Sequence, residues 1–213
     1  MVRWDTNRQT ETLQNPEFVF MTQHSALQII RDEHASLAAM LQSMRMMVKR
    51  GPAEDRRNFF DVVRAMLFYI DEFPERLHHP KESNLLFPKV VKQAPKVMGA
   101  IDKLERDHLS SEKAARDMQH LLLAWELLGA SRRQAFEEAL EKYINFYLEH
   151  MSLEESVILP EAERCFSADD WRVLDAAFAE NADPLTGHYP PAQEVEKLFS
   201  LIVTRAPSPI GLG

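Results

Sequence analysis

Four stretches of this chain place apolar residues at alternating three- and four-residue spacing, and each of the four stripes carries a histidine at a core position. Spacing of this kind lines one face of a helix, and no stretch shows the strict alternation of a half-buried strand. The first stripe is Leu27, Ile30, His34, Leu37, Leu41, Met44 and Val48, on a helix from about Gln23 to Lys49 that stops at Gly51-Pro52. The second starts near Glu54 and holds Phe60, Val63, Leu67, Ile70, Pro74, His78, Glu82 and Leu85. Pro74 and Pro80 lie inside it. A proline lacks the helical N–H and clashes with the preceding turn, which predicts a kink or bulge there. The third is Val97, Ile101, Leu104, His108, Ser111, Ala115, Met118 and Leu122, ending at Gly129. The fourth is Phe136, Leu140, Tyr143, Tyr147, His150, Glu154, Val157 and Glu161, with Ser131 as its expected N-cap. Four amphipathic helices with short connections predict an all-α, up-down-up-down four-helix bundle.

The bundle is expected over residues 23–163, with an N-terminal extension over 1–22 and a helical C-terminal extension over 164–213 that packs on it. In the latter, Ser167 to Trp171 reads as the capped start of a helix to about Glu180. Asn181 to Pro191 is a proline-rich loop, and a short helix follows to about Val203. The apolar faces of these helices (Trp171, Leu174 and Phe178; Leu198 and Leu201) either cover the bundle or form a homodimer, and covering is the expectation.

Composition removes several function classes. The formal net charge is −8 with no long basic run, which disfavours nucleic acid or an anionic membrane as partner. No apolar stretch has the length of a membrane span. The first twenty residues lack the basic-then-apolar pattern of a secretory signal, and a single cysteine, Cys165, excludes an intrachain disulfide framework or a thiolate cluster. A cytoplasmic protein is expected.

The stripes also repeat. Leu77 to Pro88 aligns with Glu149 to Pro160, matching His78 with His150, Glu82 with Glu154 and Pro88 with Pro160. Arg31-Asp32-Glu33-His34 resembles Glu105-Arg106-Asp107-His108. The unit is a helix with one histidine followed by a helix with His-x3-Glu, occurring twice. Residues four apart stack on one helix face, so an imidazole and a carboxylate at that spacing reach one metal or two adjacent ones. Surface pairs show the same spacing, and His108/Glu112 is a third example, so the count alone is weak. The repeat relation and a core-side histidine on all four helices carry the inference. A buried carboxylate without a partner is costly, and two in one core call for cations. His34, His78, His108 and His150 with Glu82 and Glu154 make a ligand set suited to iron, manganese or zinc. Six side chains fit two ions better than one, with Glu82 and Glu154 placed to bridge them.

Other residues read more plainly. His79, about 100° around the helix from His78, is expected in an outer layer or at the surface, as are Glu33 and Glu155. Glu112 is a weaker candidate for the site. His24, His120 and His188 are expected in solvent, and Cys165 and the methionines as packing residues. Tyr69, Tyr143 and Tyr147 approach the metals in register, with packing as the simpler role.

With Asp32-Glu33-His34, His78-x3-Glu82, Asp107-His108 and His150-x3-Glu154, and with Leu86-Phe87-Pro88 and Ile158-Leu159-Pro160 after the paired motifs, the chain resembles the hemerythrin-like superfamily in its bacterial His-His-Glu cation-binding branch. The resemblance spans about residues 23–163. It implies a carboxylate-bridged pair of iron ions, with the four histidines as terminal ligands and the two glutamates as bridges. The oxygen-carrying hemerythrins use five histidines, including His-x3-His on the third helix. Here Glu112 follows His108, which disfavours a simple reversible oxygen carrier. Ferritin-like centres use Glu-x-x-His instead, and the di-iron proteins that repair iron–sulfur clusters usually add a cysteine-bearing N-terminal domain that this sequence does not show. The expected function is to bind or sense dioxygen, nitric oxide or peroxide, or to hold iron. The alternatives are a di-iron oxidoreductase of peroxidase or nitric-oxide-reductase type, for which the sequence shows no flavin or nicotinamide motif, and a metal-free scaffold bundle.

Overall fold

A computed structural model describes residues 25–52, 55–190 and 192–213. The N-terminal extension expected over 1–22, and His24, lie outside the described residues. Helix α1 is Ser25–Arg50. It ends at Gly51, whose φ of +76° is open to glycine. The Gly51 amide bonds back to the Met47 carbonyl at 3.0 Å, and Arg133 donates to the carbonyls of Val48 and Lys49, both at 3.0 Å. The last turn of α1 is thereby tied to the start of the fourth helix.

Helix α2 is a composite. Its α-helical part, Arg56–Ile70, is capped by Asp55, whose side chain accepts from the Asn58 amide. A π-helical stretch, Asp71–His78, follows, then a single α-helical turn His79–Lys81, a second π turn Glu82–Leu86, and an α-helical end Phe87–Gln93. Pro74 lies inside the first π stretch and Pro80 in the turn between the two, so the expected disruption takes the form of π widening rather than a sharp break. After the 3-10 turn Pro95–Val97, helix α3 runs Met98–Leu128. Helix α4 is Arg133–Leu153, continued by a π turn Glu154–Ile158 and an α-helical end Leu159–Cys165. Its π turn sits at the repeat-related place to that of α2. In both, a side chain bonds a carbonyl of the preceding turn: Asn84 to Pro80 O and Ser156 to Ser152 O, each at 2.6 Å. In both, a proline, Pro88 or Pro160, stands two residues past the end of the turn. Ser131 does not cap α4. It lies in a 3-10 turn, Ala130–Arg132, and the residue before the helix is Arg132.

Helix α5, Ala168–Ala179, opens with a capping box in which Ser167 and Asp170 bond each other's amides. Helix α6 is Glu196–Arg205. Among the described residues all regular structure is helical, an all-α bundle with added C-terminal helices.

The apolar core comes in two parts. One contains Met40, Met44, Phe60, Tyr69, Trp125, Phe136 and Tyr147, and the other contains Leu27, Ile30, Phe87, Leu104, Ile158 and Trp171. Between them lies a layer of buried polar side chains, with His34 and Glu33 from α1, Glu75, His78, His79 and Glu82 from α2, His108 from α3, and His150 and Glu154 from α4. Trp171, Leu174 and Phe178 of α5 join the second part. Helix α6 joins the first, through Phe199 and Ile202, with Leu198 and Leu201 only partly buried beside them. The face that docks is therefore one position on from the one expected. Phe199 sets its ring edge-on to Tyr69 and Phe73, with centroids 6.0 and 5.6 Å away.

This packing predicts unequal effects for neighbouring substitutions. Phe199→Ala opens a cavity against α2 and should cost about 3 kcal/mol. Leu198→Ala should cost about 1 kcal/mol. Urea unfolding followed by far-ultraviolet circular dichroism compares the two, and an equal loss would mean that α6 docks on its leucine face.

Candidate metal centre

Three of the four stripe histidines are held by one ring nitrogen, and all four present Nε2 to the centre of the bundle. His78 Nδ1 donates to Glu33 Oε2 at 2.6 Å, and His34 Nδ1 to Glu155 Oε1 at 2.8 Å. His108 Nδ1 lies 3.0 Å from Ser83 Oγ, whose own hydrogen goes to Glu105. His150 Nδ1 faces Asp107 at 3.6 Å. These partners follow the repeat: Glu33 corresponds to Asp107, and Ser83 to Glu155. A polar group on Nδ1 fixes the ring plane and leaves Nε2 as the donor atom.

The inward nitrogens converge on two carboxylates. His78 Nε2 is 3.0 Å from Glu82 Oε1, and His108 Nε2 is 3.4 Å from Glu82 Oε2. His34 Nε2 is 3.1 Å from Glu154 Oε2, and His150 Nε2 is 3.1 Å from Glu154 Oε1. Glu82 and Glu154 are both 0% exposed. Among the described residues, all four of their oxygens, the Nε2 atoms of His78, His108 and His150, and Nδ1 of His150 have no hydrogen-bond partner. Native interiors rarely leave so many buried polar atoms unbonded, and a set that converges on one point has the character of a ligand cage.

The ionisation of the cluster points the same way. His34 is raised to about 9: burial opposes its charge, but Glu154 and Glu155 outweigh it. His78 is raised well above the usual imidazole value, because Glu82 and Glu33 outweigh burial, and His150 is raised by Glu154 against the same penalty. Burial and the Glu154 charge both push Glu82 up, yet the surrounding histidines bring it down to about 2. Glu154 is likewise held well below the carboxylate range by His150 and His34, against burial. The carboxylates take on cationic partners, and here protonated imidazoles fill that role.

Two groups of donors could each hold an ion. One is His34, His78, Glu82 and Glu154; the other is His79, Glu82, His108 and His150. Within each, the ligand atoms lie within 4.8 Å of one another. All six residues singled out from the sequence are in these groups. So is His79, which the helical-wheel angle had put outside them. It is 5% exposed and stacks on His108 with centroids 4.1 Å apart. The reason is local: a π stretch packs more residues per turn than an α-helix, so the 100° step no longer applies at residues 71–78. Burial, and then the nearby His108, hold His79 well below the usual imidazole value, which keeps its lone pair free. The repeat-related residue is Met151, so this contribution has no counterpart in the other half.

His79 brings a second network with it. Its Nδ1 donates to Glu75 Oε2 at 3.1 Å. Glu75 also accepts from Ser111 Oγ at 2.9 Å, Tyr147 Oη at 2.6 Å and Tyr143 Oη at 3.1 Å. Burial pushes the Glu75 carboxyl up, and these hydroxyl donors pull against it. Glu75 went unnoticed in the sequence, although Glu75-x3-His79 was a readable signal. Asn181, from the loop after α5, was not readable at all; its amide donates to Glu33 Oε2 at 3.0 Å and so reaches the partner of His78. Glu112 stays out of the site, exposed and paired with Arg116. His120 is exposed, and His188 is an exposed partner of Asp32 at 3.1 Å. Cys165 is half-buried and belongs to neither donor group.

A cavity of about 20 Å³ adjoins the cluster, lined by His34, His78, His79 and His150 together with Tyr147 and Met151, among others. It has room for about one water-sized molecule.

The comparisons with known proteins agree with this geometry. The family described as hemerythrin HHE cation binding domain matches residues 25–162. A protein of Haemophilus influenzae described only as uncharacterized is 35% identical over 94 residues, covering 44% of this chain and 52% of that protein. The match thus spans about half the length of that relative. No solved structure matches the chain. With more than half of its length matched, and with the buried histidines and glutamates in that span, the chain belongs to the hemerythrin HHE cation-binding family.

Proposed function

We propose that this protein holds two iron ions in its polar layer and uses them to bind or sense a small ligand such as dioxygen, nitric oxide or peroxide. The observation that carries the proposal is the convergence of unbonded, buried histidine nitrogens and carboxylate oxygens on one point. Family membership makes cation binding the coarser statement, with iron the cation it favours. The count of two rests on charge as well as ligand number. Glu33, Glu75, Glu82 and Glu154 are four buried carboxylates in one layer, and two divalent ions would offset them.

In this assignment Glu82 and Glu154 would be the shared carboxylates, His34 and His78 would hold one ion, and His108, His150 and His79 the other. The ions, once bound, would supply an open coordination position and electrons to the ligand. The chain supplies the rest. Glu33, Glu155 and Ser83 hold the rings of His78, His34 and His108 in place, and Asp107 faces His150 at 3.6 Å. The two apolar clusters keep bulk water from the layer, and the small cavity limits the guest to a few atoms. No helix among the described residues is long and apolar enough to cross a membrane. A cytoplasmic location is part of the proposal, as is the absence of a nucleic-acid partner for this acidic chain.

One observation favours a second function, a di-iron oxidoreductase. Tyr147 lines the cavity, Tyr143 lines a surface cleft between α3 and α4, and both hydroxyls bond the same Glu75 oxygen. A polar connection from cleft to cavity suits turnover better than simple holding.

Metal analysis of anaerobically purified protein, with optical spectra before and after exposure to air or nitric oxide, tests the proposal. Two irons per chain and a near-ultraviolet band that responds to the gas are expected. No metal, or zinc without a spectral response, would leave a scaffold role. Replacing Glu82 and Glu154 together with alanine should abolish stoichiometric metal, whereas His120→Ala should leave it unchanged. Two metals retained in the double variant would refute the bridging assignment. His79→Met makes the two halves alike, and should weaken one ion's binding by roughly 10–100-fold, the usual cost of a change around a metal site. Chelator competition would then show one fast and one slow release in place of the native pattern.

A further inference from the structure

The small cavity beside the cluster has a wall whose parts are not equally fixed. A groove of about 570 Å³ runs along the outside of the bundle between α1 and α4, lined by Arg31, Ala35, Ala38, Leu148, Ser152 and Glu155, among others. Two further residues of that groove, His34 and Met151, also line the cavity. These two side chains, each 6% exposed, therefore form the partition between surface groove and cavity.

They differ in what holds them. His34 is engaged at both ring nitrogens, by Glu155 at 2.8 Å and by Glu154 at 3.1 Å. Met151 is held by packing in the first apolar cluster. Its thioether is unbranched and flexible, and it changes rotamer at little cost. Ala35 and Ala38 line the groove from α1, and their small side chains leave room for the thioether to swing outward.

Other parts of the cavity wall are fastened. The loop between α5 and α6 is tied to the bundle, with Asp183 accepting from Tyr69 Oη at 2.6 Å and Asn181 donating to Glu33 Oε2 at 3.0 Å. Phe73 stacks on Tyr69 with centroids 5.2 Å apart and meets Phe199 edge-on. His79, which the internal repeat matches with Met151, is bonded to Glu75 and stacked on His108. A close-packed interior admits a guest where a side chain can move aside, and the half of the molecule that carries methionine in place of this histidine supplies such a side chain.

We infer that Met151 is the gate through which a neutral diatomic guest, such as dioxygen or nitric oxide, passes from the α1–α4 groove into the cavity. The inference rests on the proposed small-ligand function and adds to it the route and the class of guest. The class follows from the surface along the route. Ala35, Ala38, Leu148 and Met151 are apolar, and Leu37, Phe73 and Leu77 continue that surface inside. An anion would have to shed its hydration at this gate without a replacement partner, whereas a diatomic gas carries little hydration to lose. The size of the cavity, about 20 Å³, sets the upper limit on the guest.

Nitric oxide binding to the ferrous, iron-loaded protein, followed by stopped flow, tests the gate. Met151→Leu conserves volume but replaces the flexible thioether with a branched side chain. It should slow association and dissociation by the same factor, up to about tenfold, with Kd and metal content unchanged. Ala38→Leu, which fills the space into which the thioether swings, should do the same. Native rates in both variants would overturn the gate, as would a change in one rate alone, which means an effect on the bound guest rather than on its passage. Slowing by Leu77→Phe in place of these two would put the entry elsewhere on the wall and overturn it as well. Azide should associate about tenfold more slowly than nitric oxide, because of its hydration; azide as fast as nitric oxide would overturn the class of guest. A second measurement needs no metal. Dissolved dioxygen is paramagnetic and broadens the resonances of the groups it visits. In the iron-free protein the ε-methyl resonance of Met151 should broaden more than that of Met47, which is similarly exposed at 8% but lines neither groove nor cavity. Equal broadening would overturn the gate whatever the metal content. The expected broadening in a protein that takes up no iron would refute the two-iron proposal and leave the route standing.

Discussion

Glu82 and Glu154 sit at 0% exposure in the middle of the bundle, and among the described residues neither has a lysine or arginine to answer it. Two carboxylates so placed repel one another and have lost their hydration, a cost that only nearby positive charge can offset. The imidazoles of His34, His78 and His150 supply it in this structure, and two dications would supply it more fully. The division of the apolar core into two clusters follows from the same constraint. A polar layer that must contain these groups cannot also be filled by leucine and phenylalanine, so hydrophobic packing is completed above and below it.

The layer is nearly two-fold symmetric because the sequence is. Each half offers one histidine on its first helix and His-x3-Glu on its second, each with a π turn at the glutamate. A π turn shifts the register of the residues downstream. In both halves a proline stands two residues past the turn, and its missing N–H is least harmful where the regular ladder is already interrupted. The symmetry breaks at one place that matters. Only α2 has the additional π stretch Asp71–His78, and only there does the residue after the histidine face inward. His79 on one side and Met151 on the other give the two donor groups different compositions, three histidines and a glutamate against two of each, and histidines of both groups line the cavity.

The segments after α4 belong to the site as well as to the core. Helix α5 fills the second apolar cluster and α6 the first, and the loop between them brings Asn181 to Glu33 and Asp183 to Tyr69. Two helices that bury their apolar faces on opposite parts of the core hold the connecting loop across the polar layer between them.

What could be read from the sequence was what depends on local spacing. Apolar residues three and four apart, glycine and proline at the ends, and a repeated His-x3-Glu are consequences of helix geometry, and they sufficed for the bundle and for the six convergent residues His34, His78, Glu82, His108, His150 and Glu154. The same reasoning assumed a uniform 100° step, and it misplaced His79 where the helix widens and chose the leucine face of α6 over Phe199 and Ile202. Ser131 looked like a cap by type, but the 3-10 turn around it moved the helix start. The remaining features were settled by tertiary structure alone. Glu75 meets Tyr143, Tyr147 and Ser111, and Asp183 meets Tyr69, across long stretches of chain. No periodicity links such residues; they are brought together because separate helices must bury their apolar faces against one another, and buried polar groups must then find partners in whatever lies opposite.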